Sequence, residues 1–426
     1  MNFKIIAFVF MLLMAVPYAR SVQERLIVVN EGNWQSDSGK LSYFEDGRIV
    51  SNQWFRDKNG SKLGDTPCDI IAVNDDLIAI AVNWSNIIQF IGTDGKAVAA
   101  TEDVPNNRKL ATDGRYVYVT SYAHECLVGG KYVEFEKGFT AKIDVSTFKT
   151  VAACEVGYEP EGIAWYNGYL FVANSGGYAF QEDHEYETTV SIIDTSDMSL
   201  VRTVDTGIIN LYGKMSQSGR YLCINSPGDY YENEAACVIF DCEAALEGAS
   251  DDACCVALPL AATYSCTAAD GRFYAIGSRY SYFTGDYETN YVVIDPQKVM
   301  ATYGTSGVTD DFPGRVANDL KALGMPYGIY VNPYTGYVYA TDAGSFVEGG
   351  SLHQWSADGK KLGKYGVYIN PGHFLALKPD NYDSADVTVA DDACDDVVVY
   401  NLQGIRVSNP LPGNIYICSG KKTIFK

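Results

Sequence analysis

Seven times along this chain a short alternating or apolar run ends in a small polar residue and gives way to a long loop. The runs are "LIVVNEGN", "LIAIAVNWSN", "YVYVTSYA", "YLFVANSGG", "YLCINSPG", "FYAIGSRY" and "YVYATDAG". Their terminal small residues are Asn30, Asn83, Ser121, Asn174, Asn225, Gly277 and Asp342, at successive spacings of 53, 38, 53, 51, 52 and 65 residues. Such residues suit a strand end because they tolerate turn conformations and bond nearby backbone. The upstream halves repeat as well. Pro67, Pro105 and Pro326 each lie 16 residues before the polar end of their unit, and Pro160 lies 14 before. Between the two halves stand hairpin signals such as "TDGR", "YNG" and "ADGR". A third run and a fourth follow, as in "KIDVSTF" and then "TVAACEV".

Four antiparallel strands per unit, repeated in seven units, predict an all-β chain folded as a seven-bladed β-propeller. The first unit lacks its opening strand, because Leu26 already begins a second one. The missing piece stands at the far end, where "NPGHFLAL" (370–377) reads as an opening strand with nothing after it. The expectation is that both chain ends close the first blade, leaving no exposed sheet edge. A short helical pattern in "PGRVANDLKALG" (313–324) precedes the last blade.

The flanks read differently. "MNFKIIAFVFMLLMAVPYARS" has a lysine, an apolar run from Ile5 to Val16 and small residues near Ala19–Ser21, which predicts a secretory signal over 1–21. The propeller is expected over 22–378, an acidic linker over 379–395 and a small C-terminal β module over 396–426. No later stretch is apolar enough to span a membrane. The formal net charge of −21 disfavours nucleic acid as a partner, since such a surface repels phosphate backbones. The chain has 11 cysteines, with no zinc-like spacing; Cys254-Cys255 is an adjacent pair read as structural.

In a propeller the loop after each second strand and the loop entering each first strand share one face. The long loops therefore rise around one mouth. They carry Trp34, Trp84, Tyr122, Tyr178, Phe180, Tyr230, Tyr231, Tyr280, Tyr282 and Tyr287. Rigid aromatic rings with polar tips suit the capture of a large ligand. The candidate ligand-binding set adds the polar strand ends Asn30, Asn83, Asn174, Asn225 and Asp342, with His124, Asp183 and His184 from the loops. The opposite face receives short turns such as "TDGK". Neither catalytic nor metal-ligating residues are assigned. His124-Glu125 and His184-Glu185 are adjacent pairs whose side chains point apart on an extended chain, and His373 reads as structural. The main expectation is a binding protein for a small-molecule ligand or surface partner. A metal-dependent lyase or hydrolase at the same mouth, and a protein scaffold without a small ligand, are the alternatives.

The runs "VYVTSY", "FVANSG" and "VYATDAG" resemble the YVTN repeat of YncE-like seven-bladed propellers. "VVNEGNWQSDSGKLSYFEDG" resembles the first blade of a branch of that family in anaerobic Gram-negative bacteria. That branch includes BtuG-like surface proteins, which capture cobalamin and pass it to an outer-membrane transporter. The resemblance covers roughly residues 26–377. It implies a secreted or cell-surface protein, no tightly bound cofactor beyond cobalamin as a bound ligand, and an outer-membrane transporter as partner. BtuG-like proteins are typically lipid-anchored, whereas no cysteine follows the apolar run here. The end, "VYNLQG" through "IYICSGKK", resembles a C-terminal surface-sorting module of the same bacteria.

Overall fold

The computed structural model describes residues 23–181, 183–229, 231–281 and 286–380, together with five strands between Val387 and Phe425. Residues 1–21, where the signal sequence is expected, lie outside the described residues. Among the described residues no helix is long and apolar enough to cross a membrane.

Seven four-stranded antiparallel sheets make the predicted propeller. The innermost strands of blades 2 to 7 are Pro67–Ala72, Asn107–Thr112, Pro160–Tyr166, Tyr212–Ser218, Tyr264–Thr267 and Pro326–Val331. Blade 1 takes Arg25–Asn30, Lys40–Glu45 and Arg48–Ser51 from the start of the chain and Pro371–Ala376 from the other end. The closing register pairs Leu26 with Ala376, Val28 with Phe374 and Val29 with His373. The sheet edge foreseen for blade 1 is thus sealed by the strand foreseen to seal it.

Continuous apolar runs follow from the stacking of blades. In Leu77–Val82, Ile78, Ile80 and Val82 pack with Ile27, Val29 and Leu41 of blade 1. The alternate residues Ala79 and Ala81 pack with Val117, Val119 and Phe139 of blade 3. Side chains alternate between the two faces of a strand, and here both faces are buried, so no polar alternation remains.

Several loops carry structure of their own. Within the blade 3 loop, Glu125–Val128 pairs with Lys131–Glu134 in an added hairpin. Its turn is Gly129-Gly130, both with positive φ (56° and 78°), as a tight two-residue hairpin turn requires. The helical pattern before blade 7 forms Val316–Leu320, whose Val316 and Leu320 are fully buried beside Trp355. Helices Trp54–Asn59, Cys242–Leu246, Asp251–Cys254 and Pro296–Thr302 were not foreseen. Asp241 and Asp295 cap two of them by accepting bonds from backbone N–H groups in the first turn. Cys254 and Cys255 carry separate thiols; nine cysteines among the described residues are unbonded. At the C-terminus, Val387–Ala390 lies within the segment read as a linker and runs parallel to Lys421–Phe425, at one edge of a five-stranded sheet.

The seam between blades 7 and 1 also holds a carboxyl group. Glu24 accepts from Gln354 Nε2 at 2.7 Å and from the Tyr339 hydroxyl. Burial, opposed by the Gln354 bond and reinforced by Asp46, pushes the Glu24 carboxyl from 4.5 up to about 7. The folded protein therefore holds a proton here that the unfolded chain releases. That contribution is fully present below about pH 4.5 and is lost as pH rises through 7. We expect Glu24→Gln, which needs no proton, to gain on the wild type by about 3 kcal/mol between those pH values. Thermal unfolding of both proteins across the range checks it; a pH-independent difference contradicts it.

Candidate functional site

The opening of each innermost strand sets the geometry. The pairing slips between Pro67 and Asp69, Asn107 and Leu110, Pro160 and Ile163, Tyr212 and Ser216, and Pro326 and Gly328. In blade 1 the same irregularity lies opposite Pro371. A bulge of this kind re-aims side chains, and here it turns charged and phenolic groups toward the propeller axis. Their convergence is direct: Lys214 Nζ of blade 5 lies 2.6 Å from Asp69 Oδ1 of blade 2 and 3.2 Å from Ile70 O.

These groups border a cavity of about 410 Å³, lined by residues of blades 1, 3, 5, 6 and 7. That volume lies in the range of small-molecule sites. On one wall, Glu31 accepts from His373 Nε2 at 2.9 Å and from the Tyr327 hydroxyl at 2.8 Å. Burial raises the Glu31 carboxyl, but His373, Lys109 and Tyr327 outweigh it and leave the group below its ordinary value. Burial, aided by Lys109 and opposed by Glu31, lowers His373. The pair is thus a carboxylate and a neutral imidazole with its proton on Nε2, since Glu31 can only accept. Gly372 makes the approach feasible, because a Cβ there would stand 2.9 Å from Glu31 Oε1 and 3.1 Å from Tyr327 Cε1.

Beside the cavity a second cluster forms. Arg108 Nε donates to Glu161 Oε1 at 2.7 Å, and Arg108 Nη2 and the Tyr122 hydroxyl reach the same oxygen. The Arg108 guanidinium also lies 4.5 Å from the centre of the Tyr122 ring. Glu161 is fully buried, and its Oε2 has no partner among the described residues. Burial raises its carboxyl, but Arg108, Lys109 and Tyr122 hold it below the ordinary value.

The foreseen residues divide sharply. Exposed aromatics do stand on the mouth loops: Trp34 (63% exposed), Trp84 (47%), Phe180 (71%) and Tyr231 (85%). Trp34 meets Trp84 edge-on at 5.0 Å, and Tyr178 meets Tyr122 edge-on at 5.3 Å. His184 stacks on Tyr158 at 4.1 Å, with Nε2 3.3 Å from Glu159 Oε2. His124 and Asp183 are exposed. The polar strand ends, by contrast, turn into the fold. Asn30 bonds Val28 O, Lys40 O and Ser42 Oγ. Asn83 bonds Asn106 and Asn107, and Asn174 bonds Thr189, Ser191 and the N–H of Gly157. Asp342 accepts from the N–H groups of Gly324, Met325 and Gly344. Asn225 is buried with neither side-chain atom bonded among the described residues. The first four of these groups hold loops and strand ends in the structure. Tyr230 and Tyr282 lie outside the described residues, as do the side chains of Tyr280 and Tyr287.

Sequence reasoning missed Glu31, Asp69, Arg108, Lys109, Glu161, Tyr212, Lys214, Tyr264 and Tyr327, and read His373 as structural alone. A signal was present. Asp69, Glu161, Tyr327 and His373 each follow a strand-opening proline by one or two residues. Among the described residues no group of three or more His, Cys, Asp or Glu side chains is arranged to hold a metal ion.

No family model matches the chain. No curated protein matches it either. Among solved structures, a quinonprotein alcohol dehydrogenase-like protein from Bacteroides thetaiotaomicron aligns with TM-score 0.51 and 12% identity, over 83% of this chain and 78% of that one. AztD from Citrobacter koseri aligns with TM-score 0.41 and 11% identity, over 83% and 98%. Hydrazine synthase from Kuenenia stuttgartiensis aligns with TM-score 0.49 and 15% identity, over 68% and 77%. The first of these likenesses supports the fold and nothing finer.

The Arg108–Glu161 pair yields a direct test. Arg108→Met leaves a buried carboxylate without its cation and should cost about 3 kcal/mol or more in unfolding free energy. Arg108→Met combined with Glu161→Leu should recover much of that loss. Denaturant unfolding of both variants checks the order; a single variant as stable as wild type contradicts it.

Proposed function

We propose that this protein is a secreted or cell-surface propeller that captures a large amphipathic ligand on its loop-bearing face, with cobalamin as the first candidate. The observation that carries the reading is the pairing of exposed aromatic rings on the long loops with an axial cavity whose charged and phenolic lining includes Glu31 and Tyr327, at strand ends that lead into or out of those loops. Rings of this kind offer broad apolar contact at low entropic cost, and the inner polar groups fix orientation. A corrin ring is broader than the cavity and would rest on the rim, with one polar end directed inward. The resemblance to BtuG-like propellers supports the ligand, an outer-membrane transporter as partner, and export by an N-terminal signal. The resemblance of "VYNLQG" through "IYICSGKK" to a surface-sorting module supports the cell surface as the destination.

A second reading, an enzyme at the same mouth, is favoured by the Glu31–His373 pair, in which a carboxylate orients a neutral imidazole beside a cavity. Turnover lost in His373→Ala would support it. His124 and His184, the histidines first considered for that role, stand apart from this pair in the loops of blades 3 and 4.

The test of the main reading is capture of cyanocobalamin. Purified protein mixed with excess ligand should leave a sizing column with stoichiometric corrin absorbance. Tyr178→Ala with Tyr231→Ala should weaken binding by about tenfold to a hundredfold, the loss expected for removing aromatic anchors. A colourless protein peak removes cobalamin as the ligand.

A further inference from the structure

The cavity has an imbalance of hydrogen-bonding groups that the aromatic rim does not explain. Lys109 borders it, is almost fully buried, and donates one side-chain hydrogen bond, to Cys68 O at 2.8 Å. No carboxylate lies within ion-pair reach of its ammonium among the described residues. An ammonium has three N–H groups, so two are unspent. Lys214 also borders the cavity and spends two on Asp69 and Ile70, leaving one. Tyr212 and Tyr264 line the same space. The charge of Glu161 raises the Tyr212 phenol, and burial with the charge of Glu31 raises Tyr264, which also shares a hydrogen bond with Tyr327, so both stay protonated. On the acceptor side, Glu31 lines the cavity with both oxygens engaged by His373 and Tyr327, and Glu161 beside it has one oxygen, Oε2, without a partner among the described residues.

Donors without partners thus outnumber charged acceptors without partners, in a chain whose formal charge is −21. Asp69 meets the charge of Lys214, and Glu161 and Asp69 act on Lys109 only from beyond ion-pair reach, so the spare N–H groups of Lys109 are the ones left without a close counter-charge. The desolvation of a buried ammonium is costly and is offset only by a close counter-charge or full hydrogen bonding. We infer that the cavity is a subsite for an oxyanion end group, a carboxylate or a phosphate, received by Lys109 and Lys214 with Tyr212 and Tyr264 as further donors. The inference deepens the reading of this face as the ligand face and rests on it. The outer acidity disfavours a free anion at long range but is screened beyond about 8 Å at physiological salt. The subsite therefore suits the anionic end of a molecule whose larger part the aromatic rings hold.

The experiment is calorimetric titration of the purified protein with acetate and with inorganic phosphate, at constant ionic strength. Saturable binding of at least one probe is expected, with a Kd of about 1 mM or tighter. Lys109→Met should weaken it about tenfold or more, and Tyr264→Phe severalfold. Binding of acetate alone identifies a carboxylate site; binding of phosphate alone identifies a phosphate site. No saturable binding of either probe overturns the inference, and so does unchanged affinity in Lys109→Met. Where Lys109→Met fails to fold, Tyr264→Phe reads the loss, because it removes one hydroxyl and leaves every ion pair of the axis intact. The pair Tyr178→Ala/Tyr231→Ala separates the two readings. It should weaken cobalamin capture by about tenfold to a hundredfold and leave anion binding intact. A wild type that binds anions but no cobalamin overturns the ligand assignment alone; one that binds cobalamin but no anion overturns this inference alone.

Discussion

The ring depends on one strand pairing, that of Arg25–Asn30 with Pro371–Ala376. Blades packed face to face bury apolar residues on both sides of their middle strands, but the stack is complete only when the last blade meets the first. The seam is reinforced at several levels. Leu26, Val28 and Phe374 join Tyr339 and Leu352 of blade 7 in one apolar cluster. Leu377 N donates to Arg25 O, and Arg25 reaches the carboxylate of Asp380 at 2.8 Å. Burial of each large apolar side chain is worth about 1.5–3 kcal/mol, so this cluster outweighs the exposed Arg25–Asp380 pair, whose kind contributes about 1 kcal/mol or less.

The same closure creates the charged wall of the cavity. Glu31 follows directly on the pairing strand, and His373 lies within the closing one. Elsewhere around the axis the bulged strand openings bring in side chains from blades far apart in sequence. Charges gathered this way are costly to bury, and the fold meets the cost by pairing: Arg108 with Glu161, and Lys214 with Asp69. What remains after the pairing is the set of unspent donors on Lys109 and Lys214.

The architecture was legible in the sequence because its physical basis is local and repeated. Runs such as "YVYVTS" and "YLFVAN" are apolar at successive positions since both strand faces are buried, and small polar residues mark where each strand stops. The completing strand at 370–377 was legible for the same reason. The site was not, because the pattern that marks it is a slip in pairing that no side-chain periodicity reports. Asn30 and Asn174 looked like lining groups from their position at the mouth. Their amides match the donors and acceptors of neighbouring strands, and that match turns them inward. Glu161 and Arg108, polar residues in innermost strands, carry no mark in the sequence that sets them apart, and only the strand's place on the axis brings them together. The short helix Cys242–Leu246 escaped notice because five residues are too few to show a helical period, although Asp241 stood ready as its cap.

The position of Glu31 and His373 at opposite ends of the chain has a consequence in time. They are 342 residues apart in sequence, and they meet only through the last propeller strand to be synthesised. A polypeptide still leaving the ribosome can fold several blades and yet lack one wall of its cavity. That wall therefore forms only once the chain is almost whole, and a fragment cut short before Pro371 lacks it and leaves the ring unsealed.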